Sequence, residues 1–333
     1  MLNAGCMLKR GVTERGEFAQ RALHMELTHR GWWPFAYTLL ADLAEDFTDA
    51  DEALLERIYQ SMAAGDGIRK ITRRNRFPDL DQMLIDDCSQ RFPNTSPLVI
   101  HDVGSSNGIS SLELFERFRQ ARPVILHASD YYDRIYLVTI PRSGWTVVFD
   151  ARQQPLQFVS SYFALSARLP VSWRYPINRI VQRHVRRFLS TAQELLKLHL
   201  GGQRDLSQVR EVSLFHPRAV QSERQNGNFL LRQHNLFDPN PIACHIVRAM
   251  NILTLDHFPA DRVRVGIEAC LKNLQPGGLL LLGRSLDEQD GRVRASAYEL
   301  RGEMIHEAWN INNGYEHPEL VREATDAIQW LST

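Results

Sequence analysis

The chain has 333 residues, 44% hydrophobic and 23% charged, which suits one large α/β domain with an attachment or two modest domains. Its 39 basic and 39 acidic residues balance at pH 7, so electrostatics gives no reason to expect a nucleic-acid partner. The four cysteines show no CxxC or Cys/His ligand spacing, and no apolar run is long enough to span a membrane. A cytoplasmic protein without a metal site is therefore expected.

The N-terminal region, residues 1–75, is predicted to be helical. In 49–67, acidic residues precede apolar side chains at helical spacing, and Gly65 ends the run. The apolar stretch 31–47 is interpreted as a packing helix in preference to a ligand-contacting aromatic patch. Another amphipathic helix is predicted over 77–93.

The pattern then changes to a strand, a helix and a second strand. The apolar run 98–104 ends in glycine, 107–120 places its apolar residues on one helical face, and 122–133 contains a second buried strand. Such a unit predicts a parallel sheet with a right-handed crossover.

An insertion is predicted over 136–204. The segments 135–141 and 145–151 are typical of a hairpin that turns at 142–144. The sequence leaves undecided whether a third strand follows the hairpin. A helix over 177–202 completes the insertion.

That helix has one basic face. Its cations are Arg179, Arg183, Arg186 and Arg187. A solvated face is the favoured interpretation, and peripheral contact of 177–199 with a membrane or a partner protein is the alternative.

From residue 209 the alternation of strands and helices resumes. The predicted strands are 209–217, 228–238, 242–253 and 279–285. The remaining predictions are a helix over 259–278, a hairpin turning at 301–303 and a final helix over 317–331. These elements divide the chain into a helical region 1–75, a core of 76–135 with 205–333, and the insertion 136–204.

The turn 104–108 admits two interpretations. It fits G-x-S-x-G, the elbow that presents a nucleophilic serine, which would be Ser106. It also fits a glycine loop between a buried strand and a helix, where the backbone approaches a cofactor. The elbow needs an earlier oxyanion loop and earlier strands, but the sequence before Leu98 is helical, so the cofactor interpretation is favoured.

Acidic residues near this turn support the cofactor interpretation. Asp102 precedes the loop, where a carboxylate can orient it or meet a cation, and Gly104 and Gly108 permit a tight turn close to a ligand. Asp130 ends the next strand, at the position where an acid accepts both hydroxyls of a ribose.

The ordered set resembles the class I S-adenosylmethionine-dependent methyltransferases, and within them the CheR-type methyltransferases of chemotaxis-receptor glutamates. That family's loop is G-C-S-x-G-E-E, which Gly104, Ser106 and Gly108 match. Ile109 and Ser110 stand where the family has its paired glutamates.

The resemblance covers residues 72–285 discontinuously. It implies a Rossmann-like α/β fold with a mostly parallel sheet, a C-terminal antiparallel hairpin, a helical N-terminal region and an inserted subdomain. It implies S-adenosylmethionine as cofactor, with Asp130 on its ribose, Asn235 and Leu236 on its adenine, and Asn251 near its methionine end. The cofactor-binding residues so expected are Asp102, Gly104, Ser105, Ser106, Gly108, Asp130, Asn235 and Leu236.

The same resemblance suggests the catalytic candidates Arg76, Arg248 and Asn251. The segment 71–77 is similar to the family's T-x-F-F-R element, which implies that Thr72 and Arg76 approach the donor's carboxylate or the acceptor. Arg248 is a candidate partner for an acceptor carboxylate, with stabilisation of a sheet edge as the alternative.

The preferred reaction is O-methylation of a carboxylate on a protein or a small acid. A carboxylate is already ionised at pH 7 and needs no general base, whereas a hydroxyl or amine would need one, such as His127, His234 or His257. The alternatives are a non-catalytic donor-binding or interaction module and, less favoured, a serine hydrolase using Ser106.

Overall fold

The computed structural model describes residues 6–8, 36–62, 72–160, 163–167, 180, 183–202, 207–238, 242–286 and 292–328. The described residues form two compact units, one within 1–71 and 134–217 and the other within 72–133 and 218–333. None of the helices in these ranges is long and apolar enough to cross a membrane.

The strands in chain order are β1 (Cys6–Leu8), β2 (Leu98–Val103), β3 (Val124–Asp130), β4 (Arg134–Ile140), β5 (Trp145–Asp150), β6 (Pro155–Val159), β7 (Phe163–Ser166), β8 (Val209–Ser213), β9 (Phe229–Gln233), β10 (Cys244–Met250), β11 (Leu274–Ser285), β12 (Val293–Arg301) and β13 (Met304–Ile311). The α-helices are α1 (Leu39–Glu45), α2 (Glu52–Ser61), α3 (Pro78–Arg91), α4 (Ile109–Ala121), α5 (Leu189–Leu200), α6 (Pro217–Gln225), α7 (Ala260–Lys272) and α8 (Pro318–Ala327). Short 3₁₀ turns occupy Asp49–Asp51 and Arg186–Phe188.

The second unit contains a seven-stranded sheet in the order β13-β12-β11-β10-β2-β3-β9. Strands β9, β3, β2, β10 and β11 are mutually parallel, and β12 and β13 add the antiparallel hairpin at one edge. The expected α/β class, mostly parallel with a C-terminal antiparallel hairpin, is confirmed. The hairpin turns where predicted, with Arg301 paired to Met304.

The order of the strands reverses between β2 and β10. The chain runs from β2 through β3 to β9 on one side, and β10 and β11 follow on the other side of β2. In open α/β sheets, ligands bind outside the carboxyl ends of the strands at such a switch point. The loops after β2 and β10 therefore flank the expected position of a ligand.

Helices α7 and α8 share one apolar core with the centre of this sheet. Members of the cluster include Val247, Leu280, Ile267 and Val321, all fully buried. Strands buried on both faces are continuously apolar, which is why the run 279–285 was recognisable in the sequence.

The first unit contains a six-stranded sheet in the order β1-β7-β6-β5-β4-β8. The predicted hairpin is present, with Ile140 paired to Trp145 across the turn, and β6 is the third strand. Helix α5 packs on this sheet through Ala192 and Leu196. The expected basic face is exposed at Arg183, Arg186 and Arg187, while Arg179 lies outside the described residues.

Several elements differ from those predicted. Helix α6 was not predicted, and residues 274–278, predicted as the end of a helix, belong to strand β11. Residues 209–213 were assigned to the core of 76–135 and 205–333, but β8 pairs antiparallel with β4 in the first unit. Buried Val209 and Val212 flank exposed Arg210 and Glu211, so this short strand lacks the continuous apolar run of the parallel core strands. Strand β1 lies in the region predicted to be helical and pairs with β7.

Candidate functional site

The loop after β2 is a tight turn with three residues in the left-handed region. Gly104, Ser106 and Gly108 have φ of +68°, +60° and +76°. The Ser105 amide donates to the Ser129 carbonyl at 2.9 Å, and the Gly108 amide donates to the Ser105 carbonyl at 3.0 Å. The loop is thereby tied to the neighbouring strand β3. Glycine adopts left-handed φ without steric cost, which explains two of the three positions.

Asp130 faces this loop. Its Oδ2 accepts a hydrogen bond from the Ser106 amide at 2.8 Å, and its Oδ1 accepts one from the Tyr132 amide at 2.9 Å. The side chain is half-buried. These two backbone bonds orient the carboxylate toward the loop.

Two buried hydroxyls in the loops at the switch point have no hydrogen-bond partner among the residues that the structure describes. Ser105 is 5% exposed and Thr254 is 4% exposed, and neither Ser105 Oγ nor Thr254 Oγ1 is bonded. Buried polar atoms are nearly always bonded in native proteins. A polar ligand at this edge of the sheet would fit these orphaned groups.

The space beside Gly104 is occupied. A Cβ at Gly104 would lie 3.1 Å from the Cβ and Cγ2 of Ile252. The missing side chain makes room for Ile252, which follows β10, and the expected approach of a ligand to this glycine stays a prediction.

Two predicted catalytic residues, Asn251 and Arg76, both contact Ser285, which was not predicted as a site residue. Asn251, with φ of +61°, accepts a hydrogen bond at Oδ1 from the Ser285 amide at 2.7 Å. Arg76 Nε donates to Ser285 Oγ at 3.1 Å. The only signal for Ser285 was its position as the last residue of an apolar strand, at the carboxyl edge of the sheet.

The segment that carries Thr72 and Arg76 lies along α4 and its N-terminus. The Thr72 carbonyl accepts a hydrogen bond from the Asn107 side-chain amide at 3.5 Å. The Asn75 amide donates to the Glu113 carboxylate at 2.8 Å. These bonds hold the segment beside the loop, and the expected approach of Thr72 and Arg76 to a donor or an acceptor stays a prediction.

Arg248 and Asp102 lie in the interior of the protein. The Arg248 guanidinium donates to both Asp102 oxygens, at 2.9 and 2.7 Å, and to Asp81 Oδ1 at 2.9 Å. Asp102 also accepts a hydrogen bond from the Ser111 hydroxyl. Arg248 is 1% and Asp102 is 3% exposed, so the expected contacts of Arg248 with an acceptor and of Asp102 with the cofactor are corrected. Both side chains instead connect β2, β10 and α3.

Burial sets the ionisation of this cluster. Burial lowers the pKa of Arg248, but the neighbouring Asp102 carboxylate more than reverses that effect, so the guanidinium stays charged. Burial raises the pKa of Asp81 to about 7, with Arg248 acting in the opposite direction. One guanidinium cannot neutralise two carboxylates. We therefore assign a proton to Asp81, which accepts one hydrogen bond from Arg248, whereas Asp102 accepts two.

The two adenine candidates have local roles. Leu236 is 8% exposed and belongs to the apolar cluster that includes Leu253 and Val263, so its side chain packs in the core. Asn235 is half-buried, and its Oδ1 accepts a hydrogen bond from the Phe237 amide at 3.4 Å. The expected adenine contact of the Leu236 side chain is therefore corrected, whereas Asn235 stays at the turn after β9.

Neutral histidines line the same end of the sheet. His101 Nε2 is 2.8 Å from Ser129 Oγ, and the His101 ring lies 5.2 Å from that of His234. Burial, with His234 nearby, lowers the pKa of His101 to about 3, and burial lowers the pKa of His127 and His234 as well. These rings are uncharged at pH 7, and the sequence analysis gave no sign of the pairing of His101 with Ser129.

Ser106 is poorly placed as a nucleophile. A nucleophile elbow exposes its serine Oγ at the top of the sheet, whereas Ser106 Oγ is buried. This geometry argues against the hydrolase interpretation. Within the described residues, no group of three or more His, Cys, Asp or Glu side chains could hold a metal ion.

No protein-family profile and no curated protein sequence matches this chain. Among solved structures, it is similar to a sugar N-methyltransferase from Streptoalloteichus sp., with 10% identity and a TM-score of 0.30 over 73% of this chain and 75% of the other. An amino pentose methyltransferase from Micromonospora echinaspora, solved with SAM bound, matches with 11% identity and a TM-score of 0.30 over 74% and 80%. An S-adenosylmethionine-dependent methyltransferase from Clostridium acetobutylicum matches with 9% identity and a TM-score of 0.31 over 80% and 85%. Overlaps of this size do not identify a substrate or a reaction.

Proposed function

We propose that this protein binds S-adenosylmethionine at the loop 104–108 and transfers its methyl group to a carboxylate of a protein or a small acid. The observation that carries the proposal is the hydrogen bond from the Ser106 amide to Asp130 Oδ2 at 2.8 Å. It places a carboxylate at the carboxyl end of β3, against a left-handed loop at the switch point of the sheet. Such an acid accepts ribose hydroxyls in nucleotide-binding α/β folds.

Different residues of the chain would bind different parts of the donor. Asp130 would accept the ribose hydroxyls, the Ser105 hydroxyl would face the donor, and Asn235 would lie beside the adenine. At the other end, Asn251 holds Ser285 and so orients the edge that faces the methionine group. When bound, the donor supplies an electrophilic methyl group on a sulfonium, and the protein's task is to align the acceptor with it.

Arg76 is the guanidinium that we assign to the acceptor carboxylate. Arg248 is buried against Asp102, whereas Arg76 is half-buried at the carboxyl edge, where it contacts Ser285. A carboxylate acceptor is ionised at pH 7, so alignment by Arg76 replaces proton transfer. The motifs that resemble those of the CheR-type methyltransferases support this acceptor class.

Transfer of a radiolabelled methyl group tests the proposal. The full chain is incubated with labelled S-adenosylmethionine and either a protein extract or a panel of small acids, and the products are treated with alkali. A carboxyl ester releases volatile methanol, whereas N-methyl and ether products do not. Label that stays bound after alkali would contradict the carboxylate assignment.

A matched pair of variants tests the role of Arg76. Arg76→Ala is expected to abolish transfer, while Arg74→Ala, which removes the same charge from an exposed side chain paired with the half-buried Glu113, should leave it intact. Unchanged affinity of Arg76→Ala for S-adenosylhomocysteine would assign Arg76 to the acceptor. Reduced affinity would assign it to the donor's carboxylate.

A non-catalytic binding module is the second candidate. The observation that favours it is Ile252, which occupies the space beside Gly104 and narrows the switch point. This candidate predicts saturable binding of S-adenosylhomocysteine without transfer to any acceptor. An interaction module of another kind predicts no binding at all.

A further inference from the structure

A groove of about 540 Å³ lies at the opposite edge of the parallel sheet from the loop 104–108. It is formed by the end of α4, the beginning of β3 and the turn before β9. Strand β3 has seven residues, so the groove and the loop are separated by roughly 20 Å of strand. The groove is therefore a separate place from the proposed donor site.

The polar lining of the groove is cationic. Its polar side chains are Arg119, Arg122, Asn94, Gln120, Asn226 and Asn228, and no lining residue is a carboxylate. Guanidinium groups present a planar set of donors that matches an oxyanion, and side-chain amides add neutral donors. This composition favours an anionic ligand over a cationic one.

Arg122 carries a buried charge that no carboxylate balances. It is 6% exposed and donates to the carbonyls of Cys88, Phe92 and Pro93 at 3.3, 3.0 and 2.8 Å. Within the described part of the chain it forms no ion pair, and its Nε has no hydrogen-bond partner. Carbonyl oxygens solvate a guanidinium but do not neutralise it, and an unpaired buried charge is unfavourable.

The effect of this charge reaches a neighbouring strand. His245, in β10, has its pKa lowered first by burial and then by the Arg122 charge. The Arg122 guanidinium thus lies close enough to the sheet to disfavour a positive charge on His245.

Arg119 is the second arginine that lines the groove. Its guanidinium lies 6.0 Å from the centre of the Phe115 ring and donates to Asn226 Oδ1 at 3.3 Å. Phe115 and Val124, 3% and 2% exposed, contribute the apolar part of the lining. The exposed Arg119 can therefore turn to a ligand while an apolar surface shields one side of the contact.

We propose that this groove binds a small molecule bearing an oxyanion, a phosphate or a carboxylate, between Arg119 and Arg122. The oxyanion supplies the negative charge that the buried Arg122 lacks and accepts hydrogen bonds from the amides of the rim. Neither the proposed donor site nor its acceptor uses these residues.

The test is calorimetric titration of the full chain with inorganic phosphate and, separately, with succinate at low ionic strength, where charge interactions are least screened. We expect saturable binding of at least one probe, and Arg119→Ala should weaken it at least fivefold. Arg224→Ala is the matched control, since it removes the same charge from an exposed residue of α6 outside the groove. Binding of phosphate alone assigns a phosphate ligand, and binding of succinate alone assigns a carboxylate.

Two results would overturn the proposal. One is the absence of saturable binding for both probes, and the other is an equal loss of affinity in Arg119→Ala and Arg224→Ala. Arg119 is the primary variant because its exposed side chain is not needed for folding, whereas Arg122 holds three carbonyls at the end of α3. Affinity for S-adenosylhomocysteine should be the same in both variants, which separates this site from the donor site.

Discussion

Asp102 and Asp130 lie on neighbouring strands of one sheet and have different surroundings. In the interior, Asp102 is 3% exposed and bound by the Arg248 guanidinium, and Asp81 completes a closed ionic cluster. At the carboxyl edge, Asp130 is half-buried and bonded to backbone amides of the loop after β2. The depth of a carboxylate in the sheet therefore decides whether it stabilises the fold or stays available to a ligand.

The largest expected effect is that of breaking the interior cluster. Arg248→Met leaves the buried Asp102 carboxylate without its counter-charge and Asp81 without its contact with Arg248, and we expect a loss of about 3–5 kcal/mol in the free energy of unfolding. Urea denaturation measures it. The companion variant Arg248→Met/Asp102→Leu/Asp81→Leu removes all three ionisable side chains and should recover most of the loss. If Arg248→Met alone were as stable as the wild type, Arg248 would not form the ion pairs with Asp81 and Asp102 described above.

Replacing Asp130, at the carboxyl edge of the sheet, is expected to weaken binding of the donor analogue. Asp130→Ala removes the acceptor of the ribose hydroxyls, and we expect affinity for S-adenosylhomocysteine to fall by about 1.5–3 kcal/mol, roughly ten- to a hundredfold. Calorimetry measures this affinity. Asp256→Ala removes the same charge from an exposed residue after β10 and is the control. Equal affinities in the two variants would remove Asp130 from the binding site.

The raised pKa of Asp81 predicts a pH dependence of stability. Because the folded pKa of about 7 is above the unfolded value of 3.8, the folded state holds the proton more tightly, and stability falls as pH rises from 4 to 7. Relative to Asp81→Asn, the wild-type free energy of unfolding should fall by up to about 1.4 kcal/mol per pH unit in that window. Charged groups acting on Asp81 are Arg248, Arg117, Asp102 and Glu113. Parallel curves for the two proteins would contradict the assignment of the proton.

The smallest effect is expected at Ser285. Ser285→Ala removes the acceptor for Arg76 Nε, and we expect about 1 kcal/mol, roughly a fivefold loss, in methyl-transfer efficiency with little change in stability. Ser89→Ala, in α3, removes a hydroxyl that bonds only a carbonyl of its own helix and is the control. Identical kinetics in both variants would show that Ser285 has no part in the site.

The parallel core could be predicted from the sequence because its strands are runs of mainly apolar residues. Runs such as 98–103 and 279–285 are mainly apolar and mainly buried, and Gly104 and Gly108 mark a turn that requires left-handed φ. Periodicity does not say which sheet a strand joins, so β8 was assigned to the wrong one.

Side-chain partners were beyond what the sequence could reveal. A lone arginine in an apolar strand has the same pattern whether it meets a substrate or a buried carboxylate, so the surroundings of Arg248 depended on the fold. The role of Ile252 beside Gly104 and the contact of His101 with Ser129 both join segments far apart in sequence. Such contacts leave no local signature.

The most direct test of the donor site is amide hydrogen exchange of the full chain with and without S-adenosylhomocysteine. Slower exchange on binding is expected in residues 104–108 and 130–132, with no change at the groove residues 226–228. Exchange that is unchanged at 104–108, or slowed only elsewhere, would contradict the binding of the donor by this loop and Asp130.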